Sequence, residues 1–183
     1  MSVLRDPRDA LEERRPDAPP GLFFSRAGHW FHDGDRIFHA GLAGLLHRSV
    51  ARGDDGGLIV TTGRDTLPFV SEDAPLVARR VEVDDAGLHL SLSNGREAVV
   101  SWLALGSDHR FRAAVDDGAF WALLSRPAGQ AIEPLLEVDD DDAVWVRVGD
   151  RRHPVVPLDA DWQRRAPTSP PAPAFGAASP PER

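Results

Sequence analysis

The stretch Gly28-His29-Trp30-Phe31-His32-Asp33-Gly34-Asp35-Arg36-Ile37 gathers two histidines, two aspartates and two large aromatic rings into one short segment. Imidazole beside carboxylate is the toolkit of general acid–base chemistry, and histidines that converge can also hold a metal ion. Asp33-Gly34 lies between two β-prone segments, 29–32 and 36–38. An Asp-Gly pair in that setting is a hairpin turn, because Gly takes a positive φ without steric cost. Side chains alternate along a strand, so Trp30 and His32 share one face and His29 and Phe31 the other. Two histidines that point apart cannot meet one ion at about 2.0–2.1 Å. The predicted arrangement is a packed Trp30 with His32 hydrogen-bonded at its rim. His32 with Asp33, Glu72 or Asp73 would be the acid–base set of a hydrolase or lyase.

The residues that are missing bound the chemistry further. The 183-residue chain has no Cys, and all 21 of its basic residues are Arg; Tyr is absent too. Thiolate nucleophiles, disulfides, zinc–cysteine sites, Schiff bases, phosphate-loop lysines and tyrosine general acids are therefore excluded. No nucleophile elbow, zinc-protease helix or dinucleotide fingerprint occurs. The sequence assigns no catalytic residue, no metal ligand and no cofactor.

Net charge is −8, and the arginines are dispersed apart from pairs such as Arg79-Arg80 and Arg151-Arg152. A grip on phosphate backbones needs a clustered basic face, so nucleic acid is not an expected partner. No apolar run reaches the roughly 20 residues of a membrane span. The charged, Pro-rich N-terminus lacks the apolar centre of a signal peptide. The expectation is a soluble cytoplasmic protein without a membrane partner, its oligomeric state unread.

The elements that must position these side chains follow from periodicity. Residues 1–20 read as a flexible N-terminal arm closed by Pro16, Pro19 and Pro20. A small hairpin-and-helix part is expected over 21–70 and an α+β part over 71–162. Six prolines in 163–183 predict a disordered tail. Trimming to residues 21–163 is expected to leave the melting temperature unchanged. Within the body, His39 to Val50 carries Leu42, Leu45, Leu46 and Val50 on an amphipathic helix. Gly41 and Gly44 each cost that helix roughly 1 kcal/mol relative to Ala, and close approach of a strand would explain them.

Strands follow at 58–61 and 67–70, then at 76–83. Around Asn94-Gly95, a three-residue loop with Gly95 left-handed pairs Leu90 with Ala98 and Leu88 with Val100. It places Leu88, Leu90, Leu92, Ala98, Val100 and Trp102 on one face. Further strands are predicted at 111–115, 119–124, 144–148 and 153–156. A helix capped by Ser125 with Pro127 in its first turn should break at Pro134. The fold class is α+β, mostly antiparallel β-strands in roll-like hairpins with two short amphipathic helices. The acidic groups at 54–55, 84–85, 116–117 and 139–142 lack the ligand order of a calcium loop and read as turns.

The quoted residues resemble domain-of-unknown-function family 1285, a group of bacterial proteins. Gly28, Trp30, His32, Gly34 and Ile37 fall in step with its opening pattern, and Leu42, Leu45 and Leu46 with its first helix. Ser71-Glu72-Asp73-Ala74-Pro75-Leu76 is similar to its second block, Thr62 and Asp65 to the segment before it, and Leu124-Ser125-Arg126-Pro127 to a late strand-to-helix junction. The likeness spans about residues 22–157. Arg36, His39, Gly63 and Thr66 depart from the pattern, as does the segment 142–146, which keeps Trp145 without its glycines; the chain reads as a divergent member. The resemblance implies an α+β fold with a small β-rich N-terminal part. It brings no reaction, cofactor or partner.

If the Glu72-Asp73 loop approaches the hairpin, Trp30, His32, Glu72 and Asp73 form one pocket edge; these four are the candidate ligand-binding residues. The favoured function is a non-enzymatic binding or regulatory module for an unidentified small molecule or protein. Acid–base hydrolysis or lysis is the alternative, and assembly through an exposed sheet edge a third.

Overall fold

The computed structural model describes residues 14–84, 87–116, 118–140, 142–158, 162 and 167. The predicted tail apart from Pro167, and most of the predicted arm, lie outside the described residues, as do Asp85, Asp117 and Asp141 of the acidic groups. Strand β2 (Trp30–His32) turns into β3 (Asp35–Arg36) through Asp33 and Gly34, at φ 50° and 83°. Two consecutive left-handed residues match the right-handed twist of the flanking strands. Gly34 is needed for space as well, since a Cβ there would stand 2.8 Å from the carbonyl oxygen of Arg15.

The hairpin belongs to a first sheet with β1 (Leu22–Phe24), β4 (Val50–Arg52), β5 (Leu58–Thr62) and β6 (Asp65–Ser71), in the order β3-β2-β1-β6-β5-β4. A second, nine-stranded sheet holds β7 (Leu76–Asp84), β8 (Gly87–Leu92), β9 (Glu97–Val99), β10 (Trp102–Leu105), β11 (Phe111–Val115), β12 (Phe120–Leu124), β13 (Leu136–Val138), β14 (Val144–Val148) and β15 (Arg151–Pro157). Its order is β13-β14-β15-β10-β11-β12-β7-β8-β9.

Among the described residues strands dominate and the α-helices are two, but the sheets are not purely antiparallel. β1 runs parallel to β6, β10 to β15 and β7 to β12. Each parallel pair joins strands separated by whole hairpins, which a reading of local turns does not reach.

The loop at Ser93-Asn94-Gly95 has the predicted register, with Leu90 opposite Ala98, the Val100 amide on the Leu88 carbonyl and Gly95 at φ 79°. Leu88, Leu90, Leu92, Ala98 and Val100 line the main core with Ala113, Val115, Ala122 and Ile132. Trp102 does not join them. Ser101 ends the hairpin, and Trp102 turns with β10 to the opposite face of the sheet, against Ala114, Trp121 and Val156. The middle strands are thus buried on both faces, which is why Phe120 to Leu124 reads as a continuous apolar run.

Helix α1 (Ala40–Arg48) packs on the first sheet, but it buries Leu46 and His47. Leu42 and Leu45 stay 43% and 40% exposed. The buried stripe is Ala43, Leu46, His47 and Val50, rotated from the leucine stripe that the period suggests. Nor does a strand approach the helix glycines: the nearest atoms to a Cβ at Gly41 and Gly44 belong to the side chains of His39 and Arg48. Helix α2 (Arg126–Ile132) follows the prediction, with Ser125 Oγ accepting from the Ala128 amide at 3.4 Å and a 3₁₀ turn at Glu133–Leu135 where Pro134 ends it. No helix among the described residues is long and apolar enough to cross a membrane.

Candidate functional site

The four residues expected to form one pocket edge are divided by the sheet. On β6, Phe69 pairs with Leu22 and shares a face with Trp30; Val70 and Phe23 face the other way. Glu72 follows with the parity of Val70, so it leaves on the far side from Trp30. There its carboxylate accepts from the Arg26 amide at 2.8 Å and from Arg15 Nη2 at 3.2 Å.

Asp73 is buried. Arg112 holds both of its oxygens, Arg26 reaches Oδ2 at 3.2 Å, and the Ala74 amide donates to Oδ1 at 2.8 Å. Asp108 takes the remaining edge of Arg112 at 2.8 and 2.9 Å, and the Arg112 guanidinium holds the Asp108 carboxyl well below the usual carboxylate range. Gly106 is obligatory beside this cluster, since a Cβ there would collide with the Arg112 guanidinium. Glu72 and Asp73 are therefore spent on arginines. His32 stands apart, 63% exposed, with Nδ1 3.5 Å from Asp33.

Trp30 does reach a cavity. Its ring packs at 4.8 Å from Phe24, 4.9 Å from Phe69 and 5.9 Å from His47, and it is 1% exposed. Above it opens a space of about 430 Å³ between β2, β3, α1 and the second sheet. Ala40, Ala43, Gly44 and His47 line its helix wall at i, i+3, i+4 and i+7, one face of a helix. The small side chains leave the volume open, and His47 closes its end. His29, Arg36 and Phe38 come from the hairpin and its exit, Arg79 and Ser93 from the second sheet.

Two nitrogens in this wall, Trp30 Nε1 and His47 Nδ1, are buried with no hydrogen-bond partner among the described residues. Burial pushes the His47 imidazole down to about 4, and the positive charges of Arg79, His29 and Arg48 act in the same direction. Ser93 Oγ accepts from the Val77 amide at 3.1 Å, which leaves its own hydrogen to donate.

A second cleft, about 440 Å³, is lined by Leu105, Val144, Trp145, Pro154 and Leu158, with Ser107, His109 and Asp142 at its edge. No hydrogen bond among the described residues links those three polar side chains into a relay. Nor do any three His, Asp or Glu side chains among the described residues gather to hold a metal ion.

A crystal structure of a DUF1285 family protein from Silicibacter pomeroyi DSS-3 superposes with a TM-score of 0.60 at 18% identity, covering 84% of this chain and 89% of that one. The fold is that of a DUF1285 protein. A second DUF1285 family protein, from Shewanella baltica OS155, matches at TM-score 0.47 and 21% identity over 58% of this chain and 85% of that chain. No family model and no curated protein matches the sequence. The DUF1285 fold carries no assigned activity, so the chemistry of the cavity has to be argued from its own residues.

Of the expected residues, only Trp30 lies in the cavity wall. His47, Arg79 and Ser93 were missed. The signal for His47 was in the sequence: the small residues Ala40, Ala43 and Gly44 recur at helical spacing and end on a histidine, beside the more conspicuous leucines.

Proposed function

We propose that this chain is a soluble, cytoplasmic, non-enzymatic binding module whose ligand occupies the cavity over Trp30 and His47. The observation that carries this reading is the cavity itself, about 430 Å³ over an aromatic floor, with His29, Arg36, Arg79 and Ser93 converging on it from the hairpin and the second sheet. The volume is at the small end of the range for small-molecule sites, and an aromatic floor with a few convergent polar groups is their usual lining. Acid–base catalysis draws no support from this cavity, because Glu72 and Asp73 are occupied by arginines elsewhere.

A metabolite-library thermal-shift screen tests the reading, since a ligand that binds only the folded state raises the melting temperature. Hits are then followed by the indole N–H resonance of Trp30, assigned with Trp30→Phe. The expected hit moves that resonance and binds more weakly to His47→Ala, which removes the side chain that closes the cavity. Hits that leave both Trp30 and His47 untouched would place the ligand elsewhere and remove the proposal.

A further inference from the structure

We infer that the molecule taken by this cavity is a small organic oxyanion, a carboxylate or phosphate on an apolar body, with its head received by Arg36 and Arg79 and its body against Ile37, Phe38 and Ala43. This rests on the cavity being the ligand site and adds the class of ligand. The first observation is charge. The chain carries 29 acidic against 21 basic residues, yet the lining includes Arg36, Arg79, His29 and His47 and no Asp or Glu.

Several arginines elsewhere on the body pair with a carboxylate, among them Arg15 with Glu72, Arg80 with Glu82, Arg96 with Asp116, Arg112 with Asp73 and Arg147 with Glu137, while Arg52 and Arg110 bond to backbone carbonyls. Arg79 and Arg36 have no such partner among the described residues; Arg36 lies over the Phe38 ring, 5.2 Å from its centroid. Two guanidiniums at one cavity, paired with no carboxylate among the described residues of an acidic protein, are a positive potential that an anion would neutralise.

The second observation is the polarity of the hydrogen-bonding groups. Guanidinium N–H groups can only donate, and the Ser93 hydroxyl has already used an acceptor position on the Val77 amide. A wall of donors asks for a ligand of acceptors. Arginine in particular presents parallel N–H groups that match the two oxygens of a carboxylate or phosphate edge. A cationic ligand would meet repulsion from every charged group in the lining, and a neutral one would leave the arginines uncompensated.

The third observation is the apolar remainder. Ile37, Phe38, Ala40 and Ala43 give the body of the ligand a hydrophobic bed, with the buried Trp30 ring beneath it. His47 then couples binding to protons. The groups around it, His29 beside the hairpin, Arg36 at β3, Arg79 on β7 and Arg48 on its own helix, are all basic. The described lining offers the imidazolium no carboxylate, so an anion in the cavity favours its protonation and binding tightens as pH falls.

The test uses the full chain and four probes of one shape: benzoate, phenyl phosphate, benzamide and benzylamine, by calorimetry and by the Trp30 indole resonance. Benzoate or phenyl phosphate is expected to bind about tenfold or more tightly than the neutral and cationic probes, and more tightly at pH 5.5 than at pH 7.5. Whichever of the two anions binds better identifies the head as carboxylate or phosphate. Arg79→Gln, an exposed position whose fold is checked by its melting temperature, should erase the advantage of the anions over benzamide. Benzamide binding as well as benzoate, or an anion preference unchanged in both Arg79→Gln and Arg36→Gln, overturns the oxyanion while leaving the cavity as the ligand site. Failure of every probe and every library compound to move the Trp30 resonance overturns both.

Discussion

Arg112 clamps Asp73 with two parallel hydrogen bonds, Nε to Oδ1 at 3.0 Å and Nη2 to Oδ2 at 2.6 Å, from positions 39 residues apart in the chain. The two side chains are 4% and 1% exposed. Arg26, in the turn between β1 and β2, adds a bond to the same carboxylate, so this one group ties the first sheet to the second. The aspartate that the sequence marks as a ligand contact is a bolt between sheets.

Removing one partner of a buried ion pair strands the other charge and costs roughly 3–5 kcal/mol, whereas replacing both costs far less. Asp73→Ala should therefore destabilise the protein by roughly that amount in urea unfolding. Glu72→Ala, at a half-exposed ion pair, should cost about 1 kcal/mol or less. The double replacement Asp73→Ala with Arg112→Met should recover much of the loss. Equal costs for Asp73→Ala and Glu72→Ala would mean that the clamp holds nothing.

The contrast between these two residues marks where sequence reading works. The Asp33-Gly34 hairpin, the three-residue loop at Ser93-Asn94-Gly95 and the Ser125 cap rest on contacts within a few residues, and local chemistry determines them. Arg112, Asp73 and the parallel pairing of β7 with β12 depend on which distant strands meet. Local patterns carry no such information. Trp30 was found because a large ring beside a helix must be buried. His47 was not, because the leucines of α1 dominate its period although two of them face outward.

His47 predicts a pH dependence whose sign can be worked out. Its pKa is lowered in the folded protein, from an ordinary 6.5 to about 4, by burial first and by Arg79, His29 and Arg48 after it. Above 6.5 neither state binds the proton and the neutral imidazole contributes fully. As pH falls below 6.5 the unfolded chain takes up a proton that the folded one refuses, so stability drops until about pH 4 and then levels. Urea midpoints measured from pH 7.5 to 4 should fall over that window, and His47→Gln should flatten the fall while carboxylate effects at lower pH persist. A slope unchanged by His47→Gln would assign the titration to another group. Saturating benzoate should also reduce the slope, because an anion raises the folded-state pKa.

The last prediction concerns residues 14–20, the described part of the stretch expected to be a flexible arm. The Arg15 amide donates to the Gly34 carbonyl at 2.8 Å, and its side chain reaches Glu72 at 3.2 Å. The same guanidinium lies 5.6 Å from the centroid of the Phe23 ring. Phe23 and Phe31 face away from Trp30, on the outer side of the first sheet, yet they are only 5% and 0% exposed. Fully burying a phenyl side chain is worth about 1.5–3 kcal/mol, and uncovering part of one costs a fraction of that. A chain beginning at residue 21 should therefore be less stable than one beginning at residue 14 by roughly 1 kcal/mol, the comparison that isolates these residues. Arg15→Ala in the full chain should give part of that loss, and Arg15→Lys should restore little of it, because one ammonium cannot hold Glu72 and cover Phe23 together. Equal melting temperatures for the chains starting at 14 and 21 would show that the arm extends to residue 20 and that the hairpin is buried by other parts of the protein.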